Sequence, residues 1–288
     1  MGSPRIQLRE RTVIPLPPTF QPAGATFLGR DTLLVWSAFR PDLVLAIGSR
    51  FVELQVGTNE PPIAAGRSSQ GIELLFGGSR RLLVVSPEGA TLSEHGLSGV
   101  DEEEEIAAAA YASGWYVGAR RQDGGFSFYA LESDGSARSV ASLPPREASG
   151  QPRDHAMQPR AFHLRAAWEH GDVLAAELHE PFRIFRLSAH GLSSWYAGGR
   201  VALSARDPRA GDRVWVALAA VPVTDGAIQS LADLRSDVRL LRRFSSTGVV
   251  EGTAIIEAPV GLIATDPQKR SAVAIRITSG REIVLYDW

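Results

Sequence analysis

Histidines are the residues best suited to chemistry in this chain, and five of the six lie between residues 155 and 190. An imidazole exchanges a proton near neutral pH, so it can act as a general acid or base. His163 and His179 are equally distant from Gly171, a residue that favours a turn. A hairpin turning there would place the two imidazoles opposite each other, with Glu177 on the same side of its strand. Coupling between the imidazoles would leave one neutral near pH 7, so we predict these three side chains as acid/base residues.

Charged residues near these histidines are candidates for binding a ligand. Arginine forms bidentate contacts with carboxylate and phosphate groups, and carboxylates attract cations. The run Asp101–Glu105 favours a solvated loop, or alternatively a partner for an arginine cluster. His170 and His190 fall in predicted hairpins on the other side of the molecule. The predicted binding residues are Asp154, His155, Arg160, Arg120, Arg121 and Arg281.

Composition argues against several classes of function. The 288 residues carry a formal net charge of −2, so no basic excess is present to hold a nucleic acid. There is no cysteine, which excludes disulfides, thiolate metal sites and cysteine nucleophiles. No apolar stretch is long enough to span a membrane, and no signal peptide begins the sequence as it stands. The familiar phosphate-loop, dinucleotide, zinc-protease and EF-hand motifs are all absent.

Short alternating strands and a repeated turn dominate the rest of the sequence. Four segments combine an apolar strand, a turn that ends in glycine and a further strand. Glycine suits such turns because a tight hairpin needs a positive φ. A repeat of this size, built from four strands, is typical of propeller blades. The four turn glycines are Gly89, Gly135, Gly191 and Gly248.

The repeat predicts an all-β, six-bladed β-propeller that forms a single domain over residues 1–288. The final blade has three strands of its own, and residues 6–14 are expected to supply the fourth, which removes an open edge. Ile228–Leu234 is the best candidate for a short helix, and Asp225–Asp237 is predicted to be a loop that covers one face. A β-sandwich with long loops is the alternative fold. The predicted blades are 18–57, 62–98, 103–143, 160–198, 199–257 and 259–288.

The C-terminal part of the chain resembles bacterial six-bladed propellers of the broad NHL-repeat type. The resemblance rests on Val238–Gly248, Gly261–Asp266 and Glu282–Tyr286. It extends over residues 103–288 and concerns the fold, which carries binding modules and enzymes alike.

Propellers of the gluconolactonase and paraoxonase kind hold a divalent cation with Glu, Asp and Asn ligands, and this chain resembles them in fold alone. Its single asparagine, Asn59, lies in a proline-rich connector, so the asparagine ligands of that group have no counterpart. A carboxylate-only calcium site is the alternative. We expect no metal and no cofactor, and we expect chelators to leave stability unchanged.

Two classes of function fit these observations. The preferred hypothesis is a binding module that holds a small molecule or a protein partner on its mixed-charge top face. We define the top face as the end of the ring with the connectors into each blade and the loops between second and third strands. The alternative is a cofactor-independent hydrolase, cyclase or isomerase that uses histidine acid/base chemistry at the channel mouth. We expect a soluble bacterial monomer that does not bind nucleic acid or membranes. It would be cytoplasmic, or exported if a signal peptide has been removed.

Overall fold

The structure of the chain is a computed structural model that describes most of the residues, in thirteen stretches. They are 9–29, 32–37, 40–48, 50–145, 160–166, 171–178, 183–196, 215–223, 226–233, 238–257, 260–266, 271–277 and 282–287.

Every regular element in the described part of the chain is a β-strand. In chain order the strands are β1 (Arg9–Pro15), β2 (Pro22–Gly29), β3 (Thr32–Ser37), β4 (Leu43–Ile47), β5 (Arg50–Leu54), β6 (Ala64–Arg67), β7 (Ile72–Phe76), β8 (Arg81–Val85), β9 (Thr91–Gly96), β10 (Glu105–Tyr111), β11 (Trp115–Arg120), β12 (Phe126–Leu131), β13 (Ala137–Leu143), β14 (Phe162–Ala166), β15 (Val173–Glu177), β16 (Ile184–Ser188), β17 (Gly191–Tyr196), β18 (Trp215–Val223), β19 (Gly226–Asp233), β20 (Val238–Ser245), β21 (Val250–Glu257), β22 (Val260–Asp266), β23 (Ser271–Ile277) and β24 (Glu282–Asp287).

These strands form six antiparallel sheets of four strands each. Sheets 1 to 5 are continuous in sequence and comprise β2–β5, β6–β9, β10–β13, β14–β17 and β18–β21. Sheet 6 has the order β1-β24-β23-β22 and so combines the two ends of the chain. The boundaries lie close to those of the expected blades except at sheet 5, where β18 begins at Trp215 and the predicted blade begins at residue 199.

The first strands of successive sheets contact each other in a closed cycle, β2 to β6, β10, β14, β18, β22 and back to β2. This arrangement is an all-β propeller, as the sequence predicts. The core lies between neighbouring sheets. Phe162 of sheet 4, for example, packs with its ring centroid 4.9 Å from that of Phe126 in sheet 3. Each sheet is therefore held by apolar side chains on both faces.

Strand β1 lies antiparallel to β24, with Val13 opposite Val284 and Ile14 opposite Ile283. Ile14 is 1% exposed and belongs to the core formed by sheets 6 and 1. The sequence places the donor strand at residues 6–14, of which residues 6–8 lie outside the described part.

The four turn glycines have the conformation that the repeat requires. Their φ angles are 91° at Gly89, 85° at Gly135, 128° at Gly191 and 80° at Gly248. Side chains with a Cβ rarely adopt these values, so glycine is needed where the third strand of each sheet turns into the fourth.

The prediction for residues 225–237 is wrong. Residues 226–233 form strand β19, whose eight residues are all buried, so neither a helix nor a covering loop is present there. The misreading arose because a strand buried on both faces lacks the alternation that identifies a half-exposed strand. Strand β18 is the first strand of sheet 5, and residues 199–214, with which the predicted fifth blade begins, lie outside the described residues.

Candidate functional site

The hairpin expected to pair His163 with His179 has a different register. Phe162 lies opposite Glu177, and His163 lies opposite Ala176. The predicted register is therefore wrong by three residues, and His179 itself lies outside the described residues.

The position of the turn glycine explains the shift. Gly171 has a φ of 75° and stands just before Asp172 and strand β15. It therefore ends the turn, whereas a symmetric alignment of the histidines places it at the centre. A glycine with positive φ commonly closes a hairpin loop at its final position.

Glu177 and His163 lie on opposite faces of sheet 4. Opposed residues of an antiparallel pair share a face, and successive residues alternate. Glu177 shares its face with Phe162, which packs on Phe126 of sheet 3. His163 shares its face with Ala176, which belongs to the core between sheets 4 and 5. The prediction that both side chains form one wall of a site is consequently wrong.

Glu177 is instead the centre of a buried ionic cluster. Its side chain is 0% exposed, and Arg160 Nη1 donates to its Oε1 at 2.7 Å. Arg183 Nε donates to Oε2 at 2.8 Å from the other side. Arg160 also donates from Nε to the carbonyl of Pro144 at 2.6 Å and from its backbone to Gly124 at 3.1 Å. The cluster ties the connector into sheet 4 to the loops of sheet 3, so the role of Glu177 is structural positioning.

Arg120 and Arg121 take part in two separate ion pairs at the top face of sheet 3. Arg120 Nη1 lies 2.9 Å from Glu105 Oε2. Arg121 holds both oxygens of Asp123, at 3.1 Å from Nε and 2.6 Å from Nη2, and donates to Ser142 at 2.6 Å. The hydrogen bond from Arg121 lowers the pKa of Asp123, and the same contact raises the pKa of the guanidinium.

The acidic run Asp101–Glu105 is held in place by residues from two neighbouring loops and strands. Ser127 and Tyr129 donate to the two oxygens of Glu104 at 2.7 and 2.6 Å. Burial and then this hydrogen bond raise the pKa of Tyr129 to about 12. Arg80 donates to backbone carbonyls of the connector, which are those of Val100, Asp101, Glu102 and Glu104.

Arg80, Arg183 and Tyr129 were missed by sequence reasoning. The guanidinium of Arg80 contacts a carbonyl 21 residues further along the chain, and Tyr129 contacts Glu104 25 residues back. No local pattern links such distant positions. Arg183 is only six residues from Glu177. The opposite charges of these two residues, on either side of one loop, were the available signal in the sequence.

The side chain of His163 is half-buried. Burial, and secondly the charge of Arg165, lower the pKa of His163 to about 3. The imidazole is therefore neutral near pH 7, as expected. The cause is burial beside the cation of Arg165, whereas the sequence predicted coupling to His179. So low a pKa makes it a weak base.

The structure thus brings together part of the predicted site. Arg160 meets Glu177, and its backbone joins the loop that carries Arg121. His190 is exposed in the outer hairpin of sheet 4, as predicted. The remaining predicted site residues lie outside the described part of the chain, and they are Asp154, His155, His179 and Arg281.

No protein-family model and no curated protein matches the chain. Solved structures match it in fold. A member of the DUF4221 family from Bacteroides vulgatus has a TM-score of 0.71 at 9% identity, covering 99% of this chain and 98% of the other. A luciferin-regenerating enzyme has a TM-score of 0.59 at 11% identity, with coverages of 96% and 94%.

The Cps50 (Swd1) β-propeller domain of Myceliophteria thermophila has a TM-score of 0.60 at 9% identity, with coverages of 98% and 100%. Identities this low show the fold alone, which is that of a β-propeller. The NHL type of repeat stays a prediction.

The described top face of sheets 3 and 4 consists of paired charges on loops that are fixed to their neighbours. Such an arrangement can hold a charged ligand through hydrogen bonds without large rearrangement. Among the described residues, no group of three His, Cys, Asp or Glu side chains is placed to hold a metal ion. The same part of the chain contains no helix with the length and apolar character needed to cross a membrane.

Proposed function

We propose that residues 1–288 form one six-bladed propeller domain that acts as a binding module. Its ligand, a small molecule or a protein, is held on the mixed-charge top face of sheets 3 and 4. Arg120 and Arg121 are the solvent-accessible binding residues in the described part of this face, and the buried Arg160 fixes the connector beside them. Asp154, His155 and Arg281 complete the proposed set.

The proposal rests on charged side chains that ion pairs hold in a fixed geometry and that are still partly exposed to solvent. The side chains of Arg120 and Glu105 are 35% and 67% exposed although they are paired, and those of Arg121 and Asp123 are 30% and 53% exposed. Ordering these side chains before a ligand arrives lowers the entropy lost on binding. Opposite charges side by side suit a partner with a complementary pattern.

Acid/base catalysis has weaker support. Glu177 accepts hydrogen bonds from two guanidinium groups, which occupy both of its carboxylate oxygens. His163 is a weak base and lies on the opposite face of sheet 4 from Glu177. A cofactor-independent enzyme that uses His179 remains the second candidate, favoured by the clustering of histidines and by a solved enzyme with a similar fold.

Charge reversal at the top face tests the binding module. A metabolite panel is first screened by thermal shift against the wild-type protein, and hits are measured by calorimetry. We expect the double variant Arg120→Glu/Arg121→Glu to weaken such a ligand at least tenfold, since two attractive charges become repulsive. The matched control is Arg243→Glu on sheet 5, where Arg243 pairs with Glu251 at 3.0 Å.

Equal ligand affinities of Arg120→Glu/Arg121→Glu and of the control Arg243→Glu would place the ligand elsewhere and contradict the proposal.

The variant His179→Ala distinguishes the binding module from the enzyme. Loss of turnover of a bound compound with unchanged affinity would favour the enzyme over the binding module.

A further inference from the structure

Strand β14 differs from the other strands that line the axis of the propeller. The innermost strands of the other five sheets are built mainly from small and apolar residues, and their ionisable side chains stand at the strand ends. Strand β14 instead reads Phe-His-Leu-Arg-Ala and places His163 and Arg165 in its interior. Two polar groups at this depth call for a physical explanation because burial of charge is unfavourable.

The two side chains share one face of sheet 4. His163 lies opposite Ala176, and Arg165 lies opposite Leu174. Ala176 and Leu174 form part of the core with sheet 5, which includes Phe244. His163 and Arg165 therefore point to the side of sheet 5 at the inner end of the interface, where the first strands of the two sheets meet beside the axis. Both are partly accessible at this position.

Arg165 is a cation with few partners. Its Nη1 donates to the carbonyl of Leu164 at 2.9 Å, while its Nε is buried and has no hydrogen-bond partner. Among the residues that the structure describes, no carboxylate forms an ion pair with it. Burial lowers the pKa of Arg165 to about 10, so the group is still charged at neutral pH. A guanidinium offers five N–H donors, and among the described residues one of them has an acceptor, the carbonyl of Leu164.

His163 adds a neutral donor at a defined spacing. Residues two apart on a strand are separated by about 6.5–7 Å, so one small molecule can reach both side chains. A neutral imidazole donates from one ring nitrogen and accepts at the other, which adds specificity without adding charge. The pair suits an anion that carries a further polar group.

We propose that Arg165 and His163 form an oxyanion-binding site at the inner end of the interface between sheets 4 and 5. The ligand is a small molecule with a carboxylate or phosphate group, which the planar guanidinium binds through two parallel hydrogen bonds. The site is separate from the top-face residues and does not depend on the proposed function of that face. Within the described part of the chain no carboxylate pairs with Arg165, and an anion bound there would neutralise this cation.

Thermal shift and calorimetry with inorganic phosphate and with malonate test the site at constant ionic strength, with chloride as the reference anion. We expect a saturable stabilisation of the wild-type protein by at least one of the two anions. Phosphate alone would identify a phosphate ligand, and malonate alone a carboxylate ligand. Arg165→Met should weaken binding at least tenfold, and Arg165→Lys should weaken it less because the charge is kept. Arg138→Met on the exposed outer strand of sheet 3 is the matched control.

The stability of the variants without anion separates a binding site from a structural cation. Removing an uncompensated buried charge should leave the melting temperature of Arg165→Met unchanged or higher in chloride. The proposal would be overturned if Arg165→Met and Arg165→Lys both lose much stability. It would also be overturned if phosphate and malonate stabilise the wild-type protein no more than chloride does. Unchanged anion binding in Arg120→Glu/Arg121→Glu would show that the result is independent of the top face.

Discussion

Surroundings decide what each ionisable side chain of this protein can do. Glu177 and His163 lie at neighbouring positions of two paired strands, yet Glu177 is held by two cations and His163 lies beside the cation of Arg165. Burial and the charge of Arg165 favour the neutral imidazole of His163. The chemical type of the residue is therefore a weaker guide to its role than its neighbours.

Stability should depend on pH through His163. Its pKa in the folded protein is about 3, below the ordinary value of 6.5. The unfolded chain therefore binds more protons below pH 6.5, and the free energy of unfolding should fall as pH decreases from 6.5 towards 3. The expected slope from this group is about 1.4 kcal/mol per pH unit. Urea denaturation between pH 7 and 4 measures the slope.

His163→Gln should flatten this dependence, while His190→Gln in the exposed hairpin should leave it unchanged. Carboxylates titrate in the same range, so the difference between each variant and the wild-type protein is the quantity to compare. Equal slopes for the wild-type protein and His163→Gln would show that the imidazole does not resist protonation.

At the scale of elements, ion pairs connect the strand ends and loops of sheet 4. The connector into sheet 4 carries Arg160, and the hairpin loop of that sheet carries Glu177 and Arg183. Apolar contacts hold the middle of the sheets, whereas these buried ion pairs hold their top ends. Removing one partner leaves an unpaired charge, which is more harmful than removing the whole cluster.

Glu177→Gln should lower the free energy of unfolding by about 3–5 kcal/mol, because Arg160 would stay buried without its carboxylate. Glu251→Gln, which breaks the exposed pair with Arg243, should cost less than about 1 kcal/mol. Urea denaturation of both variants at pH 7 makes the comparison. Similar losses in the two variants would contradict a special role for the buried cluster.

At the scale of the whole molecule, the N-terminal strand completes sheet 6. Strand β1 covers the edge of β24 with backbone hydrogen bonds and inserts Ile14 between sheets 6 and 1. An uncovered edge would expose unpaired backbone groups and an apolar surface. The two ends of the chain thus stabilise the ring together.

Deletion of residues 1–15 should lower stability by more than Ile14→Ala alone, for which loss of a buried side chain predicts about 2–5 kcal/mol. Deletion of residues 1–8 is the control because it leaves β1 in place. Calorimetric melting of the three variants gives the order of stability. A melting temperature that does not change when residues 1–15 are removed would show that β24 does not need this partner.

Much of the architecture could be predicted from local sequence. Alternation of apolar residues and the turn glycines, such as Gly135 and Gly248, indicated the strands and the propeller class, because period-2 burial and positive φ are properties of single segments. The same reasoning failed at β19, where burial on both faces removes the alternation. Local pattern also identified Arg160 and Glu177 as residues of interest without showing that they meet.

The sequence by itself determined most of the strands, their approximate boundaries and which residues carry charge. The tertiary structure alone decided the partners of those charges. A shift of three residues in one hairpin moved His163 to the face opposite Glu177, because side chains alternate with every residue of a strand. Packing of one sheet on the next then partly buried His163 and Arg165, and that burial lowers the pKa of each. Register and burial depend on contacts between distant segments, which no local pattern records.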